Sequence, residues 1–314
     1  MVLTPEELKE KYVGVQVVTV TPFREDFSLD EEGLRNNTRF LIRSGVHGLQ
    51  PTGSTGEFWN LTPNEHKRVM EIVVNEVGDR IPVVPGTGYS GTKQTIEMSK
   101  HAEKIGADGV MVMPPYYAIP TPEGIYQHYK TLAQSIKIGI VVYNNPSMTK
   151  ISLGTDLIAR LAEIPNIVAV KDTTRDIIDV FSHLYELNEI LTFSVGLGEL
   201  QAPYFYLSGG KGHVSDLANF APQIALDMYN AAMKRDWKEV MAIHLKLYPY
   251  FKFVERKSRE NEGMIWIAIC KEAMKILKMP GWPPRKPLLP LKEDEIKELE
   301  EVLRKIGALG YTKQ

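Results

Sequence analysis

The chain has 314 residues, of which 43% are hydrophobic and 24% charged, and its formal net charge is −2. This is the composition of a globular protein with ample core and no long run of one sign, which disfavours nucleic acid and an anionic membrane as partners. A single cysteine, Cys270, excludes an internal disulfide and any multi-cysteine metal site.

The opening stretch from Met1 to Lys11 is polar and charged, which predicts no signal peptide. No later run approaches the roughly 18 apolar residues of a membrane span, so a cytoplasmic protein is expected. The hydrophobic period then switches between strand-like and helix-like about eight times. Strand candidates are residues 15–22, 48–53, 81–86, 109–114, 139–144, 167–172, 191–196 and 212–217. Most are continuous apolar runs, as expected of parallel strands covered on both faces. Helical spacing lies between them, marked first by Leu34, Phe40, Leu41 and Ile42, then by Val69, Ile72, Val73 and Val77, then by Ile96, Met98, Ala102 and Ile105.

Thr62-Pro63-Asn64-Glu65 and Thr121-Pro122-Glu123-Gly124 each place Thr at a helix cap and Pro in the first turn. Gly106 and Gly209 follow periodic segments as stop signals. Strict alternation predicts a parallel sheet, and this many units in about 220 residues predicts an α/β fold of the closed (β/α)8 TIM barrel type. Residues 1–220 are the expected barrel carrying the active site. Residues 221–314 carry no strand signal and read as a C-terminal helical extension packed on it. The charged tail helix from Lys292 reads as a solvated face with opposite charges one turn apart.

Barrel chemistry sits at the C-terminal ends of the strands. Lys171 closes the apolar run Ile167-Val168-Ala169-Val170. A lysine there, desolvated by apolar neighbours, can lose its proton and attack a carbonyl carbon, although a surface lysine at a strand end fits the same residues. Pro51-Thr52-Gly53-Ser54-Thr55-Gly56-Glu57 ends the second run. Gly53 and Gly56 let the chain turn sharply, so that successive N–H groups and the Ser54 and Thr55 hydroxyls form a nest for a carboxylate. The same residues also fit a tight turn with no ligand. Tyr143, in Val142-Tyr143-Asn144-Asn145-Pro146, sits near the rim of Lys171 and can shuttle a proton or simply pack. Tyr116-Tyr117 is an aromatic pair on a loop after the fourth run.

One signal points elsewhere. Gly86-Thr87-Gly88-Tyr89-Ser90-Gly91 matches G-x-G-x-x-G between a strand and a helix, with Asp108 about twenty residues on, as a nucleotide-dependent oxidoreductase requires. It falls in the third unit of a barrel-like count, which favours a plain barrel loop. The seven histidines are scattered, with no metal-ligand pair; only His213, beside Ser215 and Asp216, lies near the rim.

Taken together, Gly53-Ser54-Thr55-Gly56-Glu57, Tyr116-Tyr117, Tyr143-Asn144-x-Pro146 and Val170-Lys171-Asp172 resemble the dihydrodipicolinate synthase / N-acetylneuraminate lyase family, in the same order and with compatible spacing. The resemblance runs from about Val13 to Asn219 and implies a Schiff-base-forming lyase. Lys171 would form an imine with a 2-keto acid such as pyruvate, and Tyr143 would relay protons. Ser54 and Thr55 would hold the keto-acid carboxylate, while Gly53, Gly196 and Val214 match pocket positions. Tyr117 would enter a neighbouring subunit's relay, which implies a homo-oligomer, a tetramer or dimer. No metal or organic cofactor is implied beyond the covalent imine to Lys171.

One departure bears on substrate. True dihydrodipicolinate synthases carry an arginine two residues after Y-N-x-P to grip the second substrate's carboxylate, and here Met148 stands there. A thioether does not replace a bidentate guanidinium. The Ser-Thr form of the glycine loop is also closer to the sugar-acid branches. The expectation is aldol cleavage, condensation or dehydration of pyruvate or a 2-keto-3-deoxy sugar acid. The alternatives are 4-hydroxy-tetrahydrodipicolinate synthase, an NAD-dependent oxidoreductase using residues 86–91, and a non-catalytic keto-acid binder.

Overall fold

The structure, a computed structural model, describes residues 2–261 and 263–310. Seven regular strands, β1 (Gly14–Val18), β2 (Gly48–Gln50), β3 (Gly109–Val112), β4 (Gly139–Asn144), β5 (Ile167–Asp172), β6 (Thr192–Val195) and β7 (Gly212–Ser215), form one sheet in the order β2-β1-β7-β6-β5-β4-β3. Every pairing is parallel, and β4 and β5 are buried along their full length, which explains their uninterrupted apolar sequence. Helices between the strands wrap the outside, giving the (β/α)8 barrel.

The third predicted run, residues 81–86, is not a regular strand. Pro82 and Pro85 have no N–H to give to a ladder. Their carbonyls still accept, from Leu49 N at 3.0 Å and Met111 N at 2.8 Å. Single bridges, Leu49 to Val83 and Gly86 to Met111, therefore close the barrel between β2 and β3. The other strands are shorter at their ends than the apolar runs suggested, while β4 and β5 coincide with them.

The predicted caps form. Thr62 and Glu65 make a reciprocal capping box at the start of the helix Pro63–Val77, and Thr121 accepts from Gly124 N at 3.2 Å. A helix at Pro5–Lys11, hidden by its polar composition, closes the N-terminal end of the barrel. Its one buried residue, Leu8, packs so tightly on β3 and β4 that a Cβ at Gly109 or Gly139 would lie 2.4 or 2.7 Å from its Cδ2. Among the described residues no helix is long and apolar enough to cross a membrane.

Beyond β7, the helix Pro222–Met233 packs on the barrel, followed by Trp237–Asn261, Ile265–Ile276 and Glu293–Ile306. The last helix is more than a solvated face: Leu299, Val302, Leu303 and Ile306 are buried. Ionic contacts join the helices of this extension to one another and to the barrel. Within it, Lys257 reaches Glu295 at 2.9 Å. Lys271, fully buried, pairs with the equally buried Glu57 of the β2 loop and donates to Thr21 O at 2.8 Å and Pro283 O at 3.1 Å. Arg285 adds its backbone N–H to Glu57 Oε2 at 3.0 Å and its guanidinium to Glu65. Glu57, the last residue of the glycine loop, is thus an anchor for the extension.

Removing one partner of a buried pair strands the other charge away from water. Lys271→Met is expected to destabilise the protein by about 3–5 kcal/mol in chemical denaturation. Glu57→Gln combined with Lys271→Met should recover part of that loss. A single variant as stable as the parent would show the pair to be dispensable.

Candidate active site

Tyr143 and Lys171 are direct register partners across β4 and β5, one residue before each strand ends. Side chains alternate along a strand, so both project into the barrel mouth while Asn144 and Asp172 project outward. The outward pair fixes the strand ends. Asp172 accepts from Asn144 Nδ2 at 3.1 Å, from Thr174 N at 2.8 Å and meets His183 Nδ1 at 2.7 Å, all buried. Asn144 Oδ1 in turn accepts from Leu153 N at 3.1 Å.

Lys171 is 2% exposed, and its Nζ lies 4.2 Å from the centroid of the Tyr143 ring. It makes no ion pair among the described residues, unlike the other buried lysines, Lys257 and Lys271, which both meet carboxylates. Burial pulls its pKa below the ordinary 10.5, while Tyr143 and Asp216 partly hold it up. The Tyr143 hydroxyl accepts from Asn145 Nδ2 at 2.8 Å, which sets the ring's orientation.

The β2 loop supplies the opposite wall. Thr52 and Glu57 both adopt left-handed backbone conformations, with φ of 57° and 55°, and the tight turn lies between them. The Thr52 hydroxyl bonds to Gly86 O at 2.9 Å and braces this conformation. The N–H groups and hydroxyls of Ser54 and Thr55 form no hydrogen bond among the described residues. Both residues are buried and line the cavity that holds Lys171 and Tyr143. Two adjacent free N–H donors beside two free hydroxyls match what a carboxylate needs.

The cavity measures about 630 Å³. Its walls also include Val18 from β1, Gly196 after β6, and Val214 and Asp216 at the end of β7. Its outer wall comes from the C-terminal extension, through Tyr250, Phe251 and Val254 of the helix Trp237–Asn261 and Trp266 of the next helix. Arg175 and Arg259 also line it. Arg259 pairs with Glu255 at 2.7 Å, whereas Arg175 makes no ion pair among the described residues.

Of the residues singled out in the sequence, Lys171, Tyr143, Ser54, Thr55, Gly196 and Val214 share this cavity. Gly53 is not among the residues lining it, and a Cβ there would meet Val18 Cγ2 at 2.7 Å, so glycine permits the turn. Tyr117 is 88% exposed and is not part of the wall, while Tyr116 packs edge-on against Phe58. His213 is buried between Tyr206 and Glu199, the latter 3.3 Å from its Nε2, and does not reach the cavity.

The competing glycine motif has a packing explanation. A Cβ at Gly86 would lie 2.4 Å from Thr52 O, and one at Gly88 would lie 2.9 Å from Met113 N. Asp108 accepts from Leu3 N at 3.1 Å and Val83 N at 2.9 Å, at the closed end of the barrel, away from the mouth. Sequence reasoning missed Asp216 as a wall residue, although its place one residue past β7 satisfies the strand-end rule. It also missed the outer wall, whose residues come from long helices carrying no motif. Among the described residues, no group of three or more His, Cys, Asp or Glu is placed to hold a metal.

The chain matches the dihydrodipicolinate synthetase family over residues 11–306. It is 38% identical over 298 residues to the 4-hydroxy-tetrahydrodipicolinate synthase of Methanothrix thermoacetophila, covering 94% of this chain and 97% of that one. Its fold superimposes with a TM-score of 0.87 on the chloride-inhibited dihydrodipicolinate synthase of Acinetobacter baumannii complexed with pyruvate, at 31% identity and covering 94% and 99% of the two chains. A monomeric dihydrodipicolinate synthase variant gives a TM-score of 0.88 at 29% identity, covering 96% and 99%. The match spans barrel and extension alike, and the chain belongs to the dihydrodipicolinate synthetase family, as a lyase whose chemistry runs through a lysine imine with no external cofactor.

Proposed function

We propose that the imine forms on Lys171 and that the enzyme is an aldolase or dehydratase acting on a 2-keto-3-deoxy sugar acid or a related keto acid, with pyruvate as the common half. The observation that carries this reading is a buried amine without a carboxylate partner, set over the Tyr143 ring in the cavity that also presents the unengaged donors of Ser54 and Thr55. In this reading those donors take the keto-acid carboxylate and present its C2 carbonyl to the neutral amine. Addition gives a carbinolamine. Tyr143, oriented by Asn145, passes a proton to the departing hydroxyl, and water leaves. The resulting iminium draws electrons from C3, so that loss of a C3 proton or cleavage of the C3–C4 bond becomes accessible. Residues 1–220 supply this chemistry, and 221–314 supply the helical outer wall.

We assign the cytoplasm as the compartment and a homo-oligomer, tetramer or dimer, as the working form. The exposure of Tyr117 on its own chain supports a role in a neighbour's relay. A second reading, 4-hydroxy-tetrahydrodipicolinate synthase condensing pyruvate with aspartate semialdehyde, is favoured by the name its relatives carry. Against it, Met148 lines the cavity where a guanidinium would be needed, which leaves Arg175 as the cavity arginine without an ion pair among the described residues.

Borohydride reduction in the presence of pyruvate, followed by peptide mass mapping, is expected to place a pyruvyl adduct on Lys171. Lys171→Arg should abolish the adduct and lower kcat by roughly 10⁴-fold or more. An adduct on another lysine would overturn the assignment. Because only the neutral amine attacks and burial lowers its pKa, trapping should rise with pH and reach its midpoint below the ordinary lysine value of 10.5.

If Tyr117 serves a neighbour, diluting the wild type until it dissociates should lower kcat per protomer. Tyr117→Phe should start from the lower value and respond less to dilution, with sedimentation reporting the assembly state. A wild-type kcat that is unchanged on dissociation would remove Tyr117 from the relay.

Steady-state kinetics on two condensations, pyruvate with glyceraldehyde and pyruvate with aspartate semialdehyde, separate the two substrate readings. The hydroxyaldehyde is expected to give the higher kcat/KM, and Met148→Arg should shift the ratio toward the semialdehyde by about 10-fold. Efficient semialdehyde condensation by the wild type would favour the second reading and leave the imine intact.

A further inference from the structure

Asp216 occupies an uncommon position for a carboxylate. It follows the last residue of β7 and lines the cavity together with Lys171. Its backbone carbonyl is held by Asn219 Nδ2 at 2.9 Å and by Cys270 Sγ at 3.6 Å. Its Oδ1 accepts from Leu217 N at 2.9 Å, which fixes the carboxyl plane. Its Oδ2 makes no hydrogen bond among the described residues. A rigid carboxyl group with one free oxygen is therefore presented to the ligand space.

The surroundings define what that oxygen can recognise. Lys171 faces Asp216 from β5, Glu199 from the turn after β6, Tyr250 from the outer-wall helix and Cys270 from the helix behind it. Asp216 thus interacts with the amine at the base of the cavity and with Tyr250 in its outer wall. A chain extending from an imine on Lys171 has Asp216 in the wall of the cavity it occupies. Glu199 is already engaged through Oε1, which takes the Ser215 hydroxyl at 2.6 Å. A second substrate carboxylate beside Asp216 and Glu199 would meet two carboxylates, with Met148 in place of a guanidinium and Arg175 as the cavity guanidinium that makes no ion pair among the described residues. A hydroxyl group, by contrast, donates to a free carboxyl oxygen. Burial and the Glu199 charge push Asp216 up to about 6, so it is largely ionised and accepting at neutral pH and becomes a donor in mild acid.

We propose that Asp216 is a specificity-determining residue that accepts a hydrogen bond from a hydroxyl on the substrate chain beyond C3, selecting hydroxylated keto acids and hydroxyaldehydes over unfunctionalised or anionic chains. The inference rests on the imine reading and names the group that reads the non-pyruvate half. No bond to carbon is made or broken by Asp216; its contribution is one hydrogen bond to a hydroxyl that the deoxy analogue lacks. Loss of a hydrogen-bonding group from a substrate is penalised heavily when the site's own polar group is left unpaired.

The test compares two acceptors with pyruvate, glyceraldehyde and propionaldehyde, which differ in hydroxyl groups. Wild type is expected to favour glyceraldehyde in kcat/KM, and Asp216→Val should lower that preference by about 10-fold or more. Asp216→Asn keeps an acceptor oxygen and should retain part of it, which separates recognition from misfolding. Borohydride trapping with pyruvate runs alongside on each protein. In wild type, lack of a pyruvyl adduct on Lys171 would remove the imine reading and this inference with it. An adduct with no glyceraldehyde preference would overturn the role of Asp216 alone, as would an Asp216→Val variant that slows both aldehydes equally.

Discussion

A buried lysine without a carboxylate beside it is the constraint on which this active site depends. Charged, Lys171 would sit in the barrel mouth with only the face of Tyr143 and the more distant Asp216 to favour it. Each unit by which burial lowers its pKa corresponds to about 1.4 kcal/mol of preference for the neutral form. The same fold shows what happens when a partner is supplied. Lys271 is buried too, but Glu57 and two backbone carbonyls occupy its donors, and it serves as an anchor. Burial alone does not make a nucleophile; the role proposed for Lys171 rests on burial without a carboxylate partner, facing a cavity.

Holding such an amine still requires order around it, and the architecture supplies that from outside the cavity. Because residues alternate along β4 and β5, each inward functional side chain is followed by an outward one that is hydrogen-bonded into the helical layer. Asp172, accepting from Asn144 and Thr174, ties the ends of the two strands together one residue beyond Tyr143 and Lys171. On the far wall, Glu57 links the turn carrying Ser54 and Thr55 to the C-terminal extension through Lys271 and Arg285. The extension is therefore coupled to the turn carrying Ser54 and Thr55 as well as forming the outer wall. This accounts for a glutamate at the end of a glycine loop that never reaches the substrate space.

How much of this was legible in the sequence depends on range. Local rules worked: the apolar runs of β4 and β5, the caps at Thr62 and Thr121, and the strand-end position of Lys171 all follow from nearest neighbours in the chain. The third run read as a strand because periodicity does not register missing donors, and Pro82 and Pro85 turn a ladder into two bridges. The helix at Pro5–Lys11 escaped notice because a plug needs only one apolar side chain, Leu8. Asp216 was in view beside His213, yet only the register of β7 decides which of the two reaches the cavity. The outer wall was illegible for a different reason. Tyr250, Val254 and Trp266 are ordinary helix residues whose role comes from where two long helices cross the barrel mouth.

The division between what the family shares and what this chain adds follows the cavity from base to mouth. At the base, on the proposed reading, the amine, the phenol and the free donors of the β2 loop would deal with the part common to every 2-keto acid, its carboxylate and carbonyl. Nearer the mouth the chemistry changes sign. An arginine would draw in a second carboxylate, but Met148 offers only a polarizable thioether, and Asp216 adds a carboxylate to the same wall. An exchange of a cation for a neutral group, together with a carboxylate in the wall, would move the local preference from an anionic chain toward a hydrogen-bond-donating one, as proposed. Two guanidinium groups remain in the same cavity wall: Arg259 is already paired with Glu255, and Arg175 makes no ion pair among the described residues. If both proposals hold, electrostatics separates two tasks within one cavity: the inner groups decide that a keto acid reacts, and the outer ones decide which chain it carries.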